Sequence, residues 1–303
     1  WSLVIQLAAE ALYYNREGKN ALLDLAYWLR QHSSMESSQY QRVGLWSANQ
    51  TLILGSAVTE DGTAGREHLE KLPTLMLNLL GGDLTPIERV EAGNHLARLG
   101  DPRFRADAWY LPDEPLCGFI HIPAGRFIMG SDKKKDPQTD DDEQPQHEVD
   151  LGEYYIARYP VTVAQFKAFV DSSKYKPQDP SSLGGLPNHP VVNVTWYDAL
   201  AYCDWLTTQL PNLPHLPAEL RRGWRVTLPS EAEWERAARG ADGWIYPWGN
   251  EFDPNKANTS ESGIGGTSAV GCFPSGASLA GLLDVSGNVW EWTRGLWAGY
   301  PYP

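Results

Sequence analysis

The chain is poor in cysteine, in positive charge and in long apolar runs, and each shortage removes a class of protein. Only Cys117, Cys203 and Cys272 occur in 303 residues. They are too few and too scattered for a disulfide framework, and no Cys-x-x-Cys spacing suggests a zinc site. There are 25 Lys and Arg against 38 Asp and Glu, a formal net charge of −13. A surface of that sign repels a phosphate backbone, so nucleic-acid binding is not expected. No apolar stretch approaches the ~20 residues of a membrane-spanning helix. The opening Ser2–Glu10 lacks a basic start and carries Gln6 and Glu10, so it does not read as a secretory signal. A cytoplasmic protein is the expectation. The chain begins at Trp1 rather than Met and stops at Pro303, soon after Trp292, which reads as an interior piece of a longer polypeptide.

What the chain has in plenty is aromatic side chains, 13 Trp and 14 Tyr. Each large ring covers much area, which suits an irregular, loop-rich fold. The length allows two domains, each with its own core.

Two halves differ in their punctuation. Residues 1–100 read as successive helices. Leu3, Leu7, Ala8, Ala11 and Leu12 recur at helical spacing, as do Leu22, Leu25, Ala26 and Leu29. Further helices are expected near 36–57, 64–80 and 86–99. The last is the sharpest: Thr85 as N-cap, Pro86 at the first helical position, Glu88 closing a capping box and Gly100 ending the helix. Residues 101–116, rich in Pro and Asp, read as a linker. From 117 the pattern shortens. Phe119–Ile122 and Arg126–Met129 flank Pro123-Ala-Gly125 as a predicted hairpin, and His147–Leu151 and Tyr154–Arg158 read as strands. Ser131–Glu143, dense in charge, reads as a solvated loop. Three helix starts follow, at Thr162 with Gln165, Thr195 with Asp198 and Ser230 with Glu233. Residues 240–285 show almost no periodicity. The run Gly287–Trp292 alternates, which predicts a strand with both Trp rings on a buried face and Glu291 between them on the other.

Seven segments occur in order: Ile122–Ser131, Pro145–Val149, Tyr159–Thr162, Pro190–Trp196, Leu228–Glu235, Tyr246–Gly249 and Gly287–Trp292. Together they resemble the formylglycine-generating enzyme (sulfatase-modifying factor) family. The resemblance implies an α+β fold, in which an all-helical N-terminal domain (1–100) precedes a C-type-lectin-like domain (117–303) that is incomplete at its C-terminus. It also implies that the copper-binding Cys pair of the family's oxidases falls beyond Pro303, with none of Cys117, Cys203 and Cys272 in its place. Iron, held in other members by clustered His of an added helical domain, is not expected from the separated His32, His68 and His95.

The same resemblance implies two structural calcium ions. One would use Asn258 with the carbonyls of Thr259 and Ile264, where Ser262 stands in place of the family's carboxylate. The other would use the side chains of Asp284 and Glu291 with the carbonyls of Gly287 and Val289, oxygen donors that suit a hard cation. The segment Thr85–Arg103 resembles the helical stretch that precedes such domains in large bacterial signalling proteins. The expected function is therefore a non-catalytic recognition module of a bacterial signalling or defence protein, including the possibility of a retroelement-diversified receptor. It would have a protein partner or ligand and an upstream signalling domain in the same parent chain. The alternative is a copper-dependent formylglycine-generating oxidase whose Cys pair lies beyond Pro303.

Overall fold

In a computed structural model, residues 11, 18–213 and 216–300 are described. The helix read at Leu3–Leu12 lies outside them, Ala11 excepted. The chain divides into two compact units, Trp1–Pro102 and Arg103–Pro303.

The first unit is helical. Its elements are α1 (Lys19–Gln31), α2 (Ser38–Leu54), a short α3 (Ser56–Glu60), α4 (Gly62–Leu80) and α5 (Pro86–Leu99). Leu22 and Ala26 of α1 are fully buried with Leu54 and Val58, so the spacing of four residues in α1 becomes one contact face. Leu72, Met76 and Leu79 form the buried side of α4. The start of α5 is as read. Thr85 Oγ1 accepts the Glu88 amide, Glu88 reaches back to the Thr85 amide, and Gly100 ends the helix at φ 98°.

The second unit begins earlier than the expected linker boundary. Residues 103–116 are not a tether. β1 (Phe104–Arg105) pairs antiparallel with β2 (Leu111–Pro112), and Ala108, Leu111 and Cys117 enter the main core. The Pro and Asp that suggested a linker serve tight turns instead, and Trp109 and Tyr110 there both have positive φ.

The predicted hairpin at Pro123-Ala-Gly125 is not formed. β3 (Phe119–Ile122) pairs with β6 (Tyr154–Ala157), and β4 (Gly125–Met129) pairs with β5 (His147–Leu151). The residue count carries through the interruption, with Ile122 opposite Tyr154 and Gly125 opposite Leu151. The runs 119–129 and 147–157 are thus two arms of one long antiparallel excursion. Pro123 has no amide hydrogen for the ladder. Arg236 occupies the break, donating to the carbonyls of Pro123 at 2.6 Å and Gly125 at 2.8 Å.

Three further helices carry the core. They are α6 (Val163–Ser173), α7 (Trp196–Gln209) and α9 (Glu231–Arg239), with a single turn, α8 (Ala218–Arg221), between the last two. Each of the three long ones opens on a complete capping box, at Thr162, Thr195 and Ser230. Phe166 and Phe169 of α6 meet Tyr202, Cys203 and Leu206 of α7 in one apolar cluster. The helix α9 serves both strand pairs: Ala237 and Ala238 pack with Ile122 and Leu282, while Ala232 packs with Phe127 and Met129. Residues 240–300 carry no strand and only two single turns of 3-10 helix.

Candidate functional site

The irregular segment is held by side-chain amides. Asn258 Nδ2 donates to Gly266 O at 2.8 Å and to Ser268 Oγ at 3.2 Å, while Asn288 Oδ1 takes the Ser268 amide at 3.0 Å. The Asn258 carbonyl accepts the Asn288 amide at 2.8 Å. The close approach requires Gly287, because a Cβ there would lie 2.4 Å from that carbonyl and φ is 89°. This arrangement draws the two expected ion sites together through one pair of asparagines.

The first set fits a cation poorly. The Thr259 carbonyl, an expected ligand, already accepts the Ser262 hydroxyl at 2.6 Å and the Ser262 amide at 3.1 Å. Ser262, standing where the family has a carboxylate, closes this turn on itself and supplies no anion. The second set has the charge. Asp284, at φ 60°, accepts the Gly271 amide through Oδ2 at 2.6 Å. Removal from water pushes its carboxyl up to about 6, against the pull of that amide and of Arg103. Glu291 keeps much of its own surface exposed. Protein crowding around its carboxyl raises it to about 7, the neighbouring Asp284 charge adding to the rise. Two carboxyls raised in this way, with the Asp284 charge acting on Glu291, are a donor set suited to a hard cation. The Gly287 carbonyl is turned toward the Val289 amide at 2.9 Å, so one of the four expected ligands is engaged locally. No group of three or more His, Cys, Asp or Glu side chains gathers among the described residues.

The predicted strand at Gly287–Trp292 is absent. The segment is irregular, Trp290 is fully exposed and Trp292 is 50% exposed. A strand needs a neighbour for its backbone, and among the described residues no strand pairs with this segment. Instead the Trp292 indole donates to Val194 O at 3.0 Å, and the Trp196 indole donates to Thr293 O at 2.9 Å. The run thus tethers the C-terminal segment to the start of α7.

Beside it opens a cavity of about 550 Å³, which sequence reading missed. Core residues Phe166, Tyr202 and Leu206 reach it, as do Glu291, Trp290 and Trp234. Its signal in the sequence was indirect, an excess of aromatic residues around 224 and 290–297 that the core does not absorb. Trp224, Leu296 and Trp297 are all exposed.

The thiols are elsewhere in kind. Cys117 and Cys203 sit in the main apolar cluster and Cys272 is fully buried. Burial pushes the Cys203 thiol up to about 12 and raises Cys117 as well. Such groups are neutral thiols, and a Cu(I) site requires thiolates.

A two-unit α+β protein with an irregular, aromatic-rich second unit is the class that this architecture defines. The sequence description "Sulfatase-modifying factor enzyme 1-like domain" matches residues 110–302, so the chain belongs to that family. The chain is 34% identical over 231 residues to "Inactive C-alpha-formylglycine-generating enzyme 2" of Mus musculus, covering 57% of this chain and 67% of that protein. It is 33% identical over 246 residues to "Formylglycine-generating enzyme" of Thermomonospora curvata, covering 62% and 74%. It is also 33% identical over 211 residues to "Serine/threonine-protein kinase Pkn1" of Chlamydia trachomatis, covering 63% of this chain and 30% of the kinase. Among solved structures, PvdO from Pseudomonas aeruginosa matches 59% of this chain and 71% of its own, at 28% identity and a TM-score of 0.48.

Proposed function

We propose that the chain is a non-catalytic recognition module of a larger bacterial signalling or defence protein, acting in the cytoplasm. The observation that carries this reading is the state of its thiols. All three are buried, and burial raises the thiols of the two in the main core, Cys203 to about 12. Similarity to a relative named an inactive enzyme, and to a protein kinase of which the match spans less than a third, supports the same direction. No helix among the described residues is long and apolar enough to cross a membrane. The competing oxidase reading draws on the 33% identity to a formylglycine-generating enzyme. A Cys-containing sulfatase-type peptide incubated aerobically with this chain and copper tests the reading for this chain. Unchanged peptide mass is expected, and conversion of its Cys to the aldehyde would overturn the recognition reading.

The same proposal includes one structural calcium ion, held by Asp284 and Glu291 with the carbonyls of Gly287 and Val289. Bound there, the ion would supply positive charge to two carboxyls whose pKa values are now raised, Asp284 by burial and Glu291 by crowding and the Asp284 charge. The chain's own part is to place them, through the Gly271 amide on Asp284 and the Asn258–Asn288 pair. The second ion, at Asn258, Thr259 and Ile264, is the weaker part of the proposal, since Ser262 occupies the Thr259 carbonyl. Ion binding to the folded state alone raises thermal stability by mass action. Chelation should lower the melting temperature of the wild-type chain and leave that of a D284N/E291Q variant unmoved. Equal curves for the wild type with and without chelator would remove calcium from the account.

A further inference from the structure

Arg103, the first residue of the second unit, reaches toward the carboxyl of Asp284 through a single peptide group. Its Nη1 donates to Val270 O at 2.6 Å, and the Gly271 amide donates to Asp284 Oδ2 at 2.6 Å. That carbonyl and that amide belong to one planar peptide, in which C=O and N–H point in opposite directions. The two bonds therefore act in series. The guanidinium polarises the peptide, and the polarised N–H holds the carboxylate more firmly. The backbone lies close against the arginine. A Cβ at Gly271 would come within 2.9 Å of Arg103 Nη1 and 2.8 Å of the Tyr159 ring, and Gly271 has φ 71°.

The guanidinium is held in this place. It lies over the Phe104 ring at 5.3 Å and near the Tyr159 ring at 5.8 Å, both within reach of a cation–π attraction. Tyr159 is fixed in turn, its hydroxyl donating to Glu114 Oε1 at 3.1 Å. Glu114 stands 2.6 Å from Arg158 Nε. Asp284 thus has a positive charge fixed on one side. Beyond the peptide, that charge acts on the carboxyl directly, against the effect of burial.

From this geometry we propose that Arg103 is the resident counter-charge of Asp284, and that a divalent cation held by Asp284 and Glu291 takes over that role. Arginine and ion then oppose each other across one carboxylate. Without the ion, Arg103 steadies a carboxylate removed from water. With it, two positive groups face the same side chain, and each weakens the other's hold. Such coupling is reciprocal: what Arg103 subtracts from ion affinity, the ion subtracts from the contribution of Arg103 to folding. This rests on the calcium part of the proposed function and names what regulates that site, a charge that keeps the unit folded without the ion and keeps ion binding reversible.

The test uses the full chain with calcium as the probe. Melting is followed in chelator and in calcium for the wild type, Arg103→Gln, Asp284→Asn and the double variant. In chelator, R103Q should lower the melting temperature more with Asp at 284 than with Asn there. Saturating calcium should shrink that difference. By titration calorimetry R103Q should bind calcium at least about fivefold more tightly than the wild type, and Arg103→Lys, which keeps the charge, should stay near the wild type. An arginine that only supports the 270–271 peptide gives the opposite sign, weaker calcium binding in R103Q. Hydrogen exchange at the Gly271 amide reads the same competition in the wild type and depends on no variant folding. Calcium should speed it relative to the amides around it, because the ion draws the carboxylate charge away from that N–H. Additive losses in chelator, a difference that calcium leaves unchanged, weaker binding by R103Q, or Gly271 protection that rises with its neighbours would each overturn the inference. The calcium reading fails separately. Wild-type melting indifferent to chelator counts against that reading alone if R103Q still gains calcium binding, whereas a wild type that responds to chelator while R103Q binds no more tightly counts against this inference alone.

Discussion

His68 shows how one side chain sets a pH limit on the helical unit. Arg30 Nε donates to its Nδ1 at 3.1 Å, and an arginine can only donate, so the proton of the neutral ring sits on Nε2. Nε2 then donates to Thr51 Oγ1 at 2.7 Å, and that hydroxyl passes its own hydrogen to Ser47 O at 2.8 Å. Every bond is spent on the uncharged form. Burial, with help from the Arg30 charge, lowers the His68 pKa to about 4. An unfolded histidine titrates near ~6.5, so between those values the unfolded chain binds more protons. The stability that His68 contributes is whole above about pH 6.5 and is lost as pH falls toward 4. Thermal melting followed from pH 7 to 4.5 should show this decline, and His68→Gln should remove the part of the slope that belongs to this ring. The buried thiols yield a second outcome at this scale. A thiol-reactive chromophore should label none of Cys117, Cys203 and Cys272 in the folded protein and all three in denaturant.

Capping boxes decide where the long helices of the second unit begin. They are unequal in what they hold. The hydroxyls of Thr162 and Ser230 satisfy their own helix ends, and Glu233 of the Ser230 box also accepts Arg294. Asp198 does more: it accepts the Thr195 amide at 2.8 Å, the Thr195 hydroxyl at 2.7 Å, the Tyr175 hydroxyl at 2.9 Å and the Gln178 amide at 3.3 Å. The residue is fully buried, and these bonds outweigh its burial and keep its carboxyl below the usual range. Loss of an ordinary cap costs ~1 kcal/mol, so Ser230→Ala should cost about that in chemical denaturation. Asp198→Ala strands several donors and should cost about 3 kcal/mol. Equal losses from the two changes would mean that the bonds to Tyr175 and Gln178 contribute nothing.

For the whole molecule, the division into units has a consequence for truncation. The second unit starts at Arg103, and Ala108 and Leu111 belong to its core. Arg103 also reaches forward, its Nη1 donating to Val270 O at 2.6 Å. Residues 103–303 produced alone should melt cooperatively. A version starting at Cys117 should melt at lower temperature, because it loses Leu111, a large apolar side chain whose removal from a core costs ~2–5 kcal/mol. Near-ultraviolet circular dichroism, sensitive to the packed Phe169–Trp205 pair that both versions keep, reads both.

The helices and their starts were legible in the sequence, because a cap is a local event: an oxygen, three residues and the amide it accepts. Thr85, Thr162, Thr195 and Ser230 carry that information within one turn. The four strands near 119–157 were legible as strands for the same reason, alternation being a property of the segment itself. Family membership was legible because seven short segments stand in order. Pairing was not. Whether Phe119–Ile122 turns back on Arg126–Met129 or waits for Tyr154–Ala157 depends on residues some thirty positions away and on Arg236, which holds the carbonyls at the break. The apparent linker at 101–116 failed similarly, since Pro and Asp mark turns without saying whether the turn lies against a core. Gly287–Trp292 has the alternation of a strand and none of its neighbours, so its tryptophans went to the surface. Local chemistry set the elements. The cavity beside Gly287–Trp292 arises only from how distant segments pack, where no single stretch of sequence carries the signal.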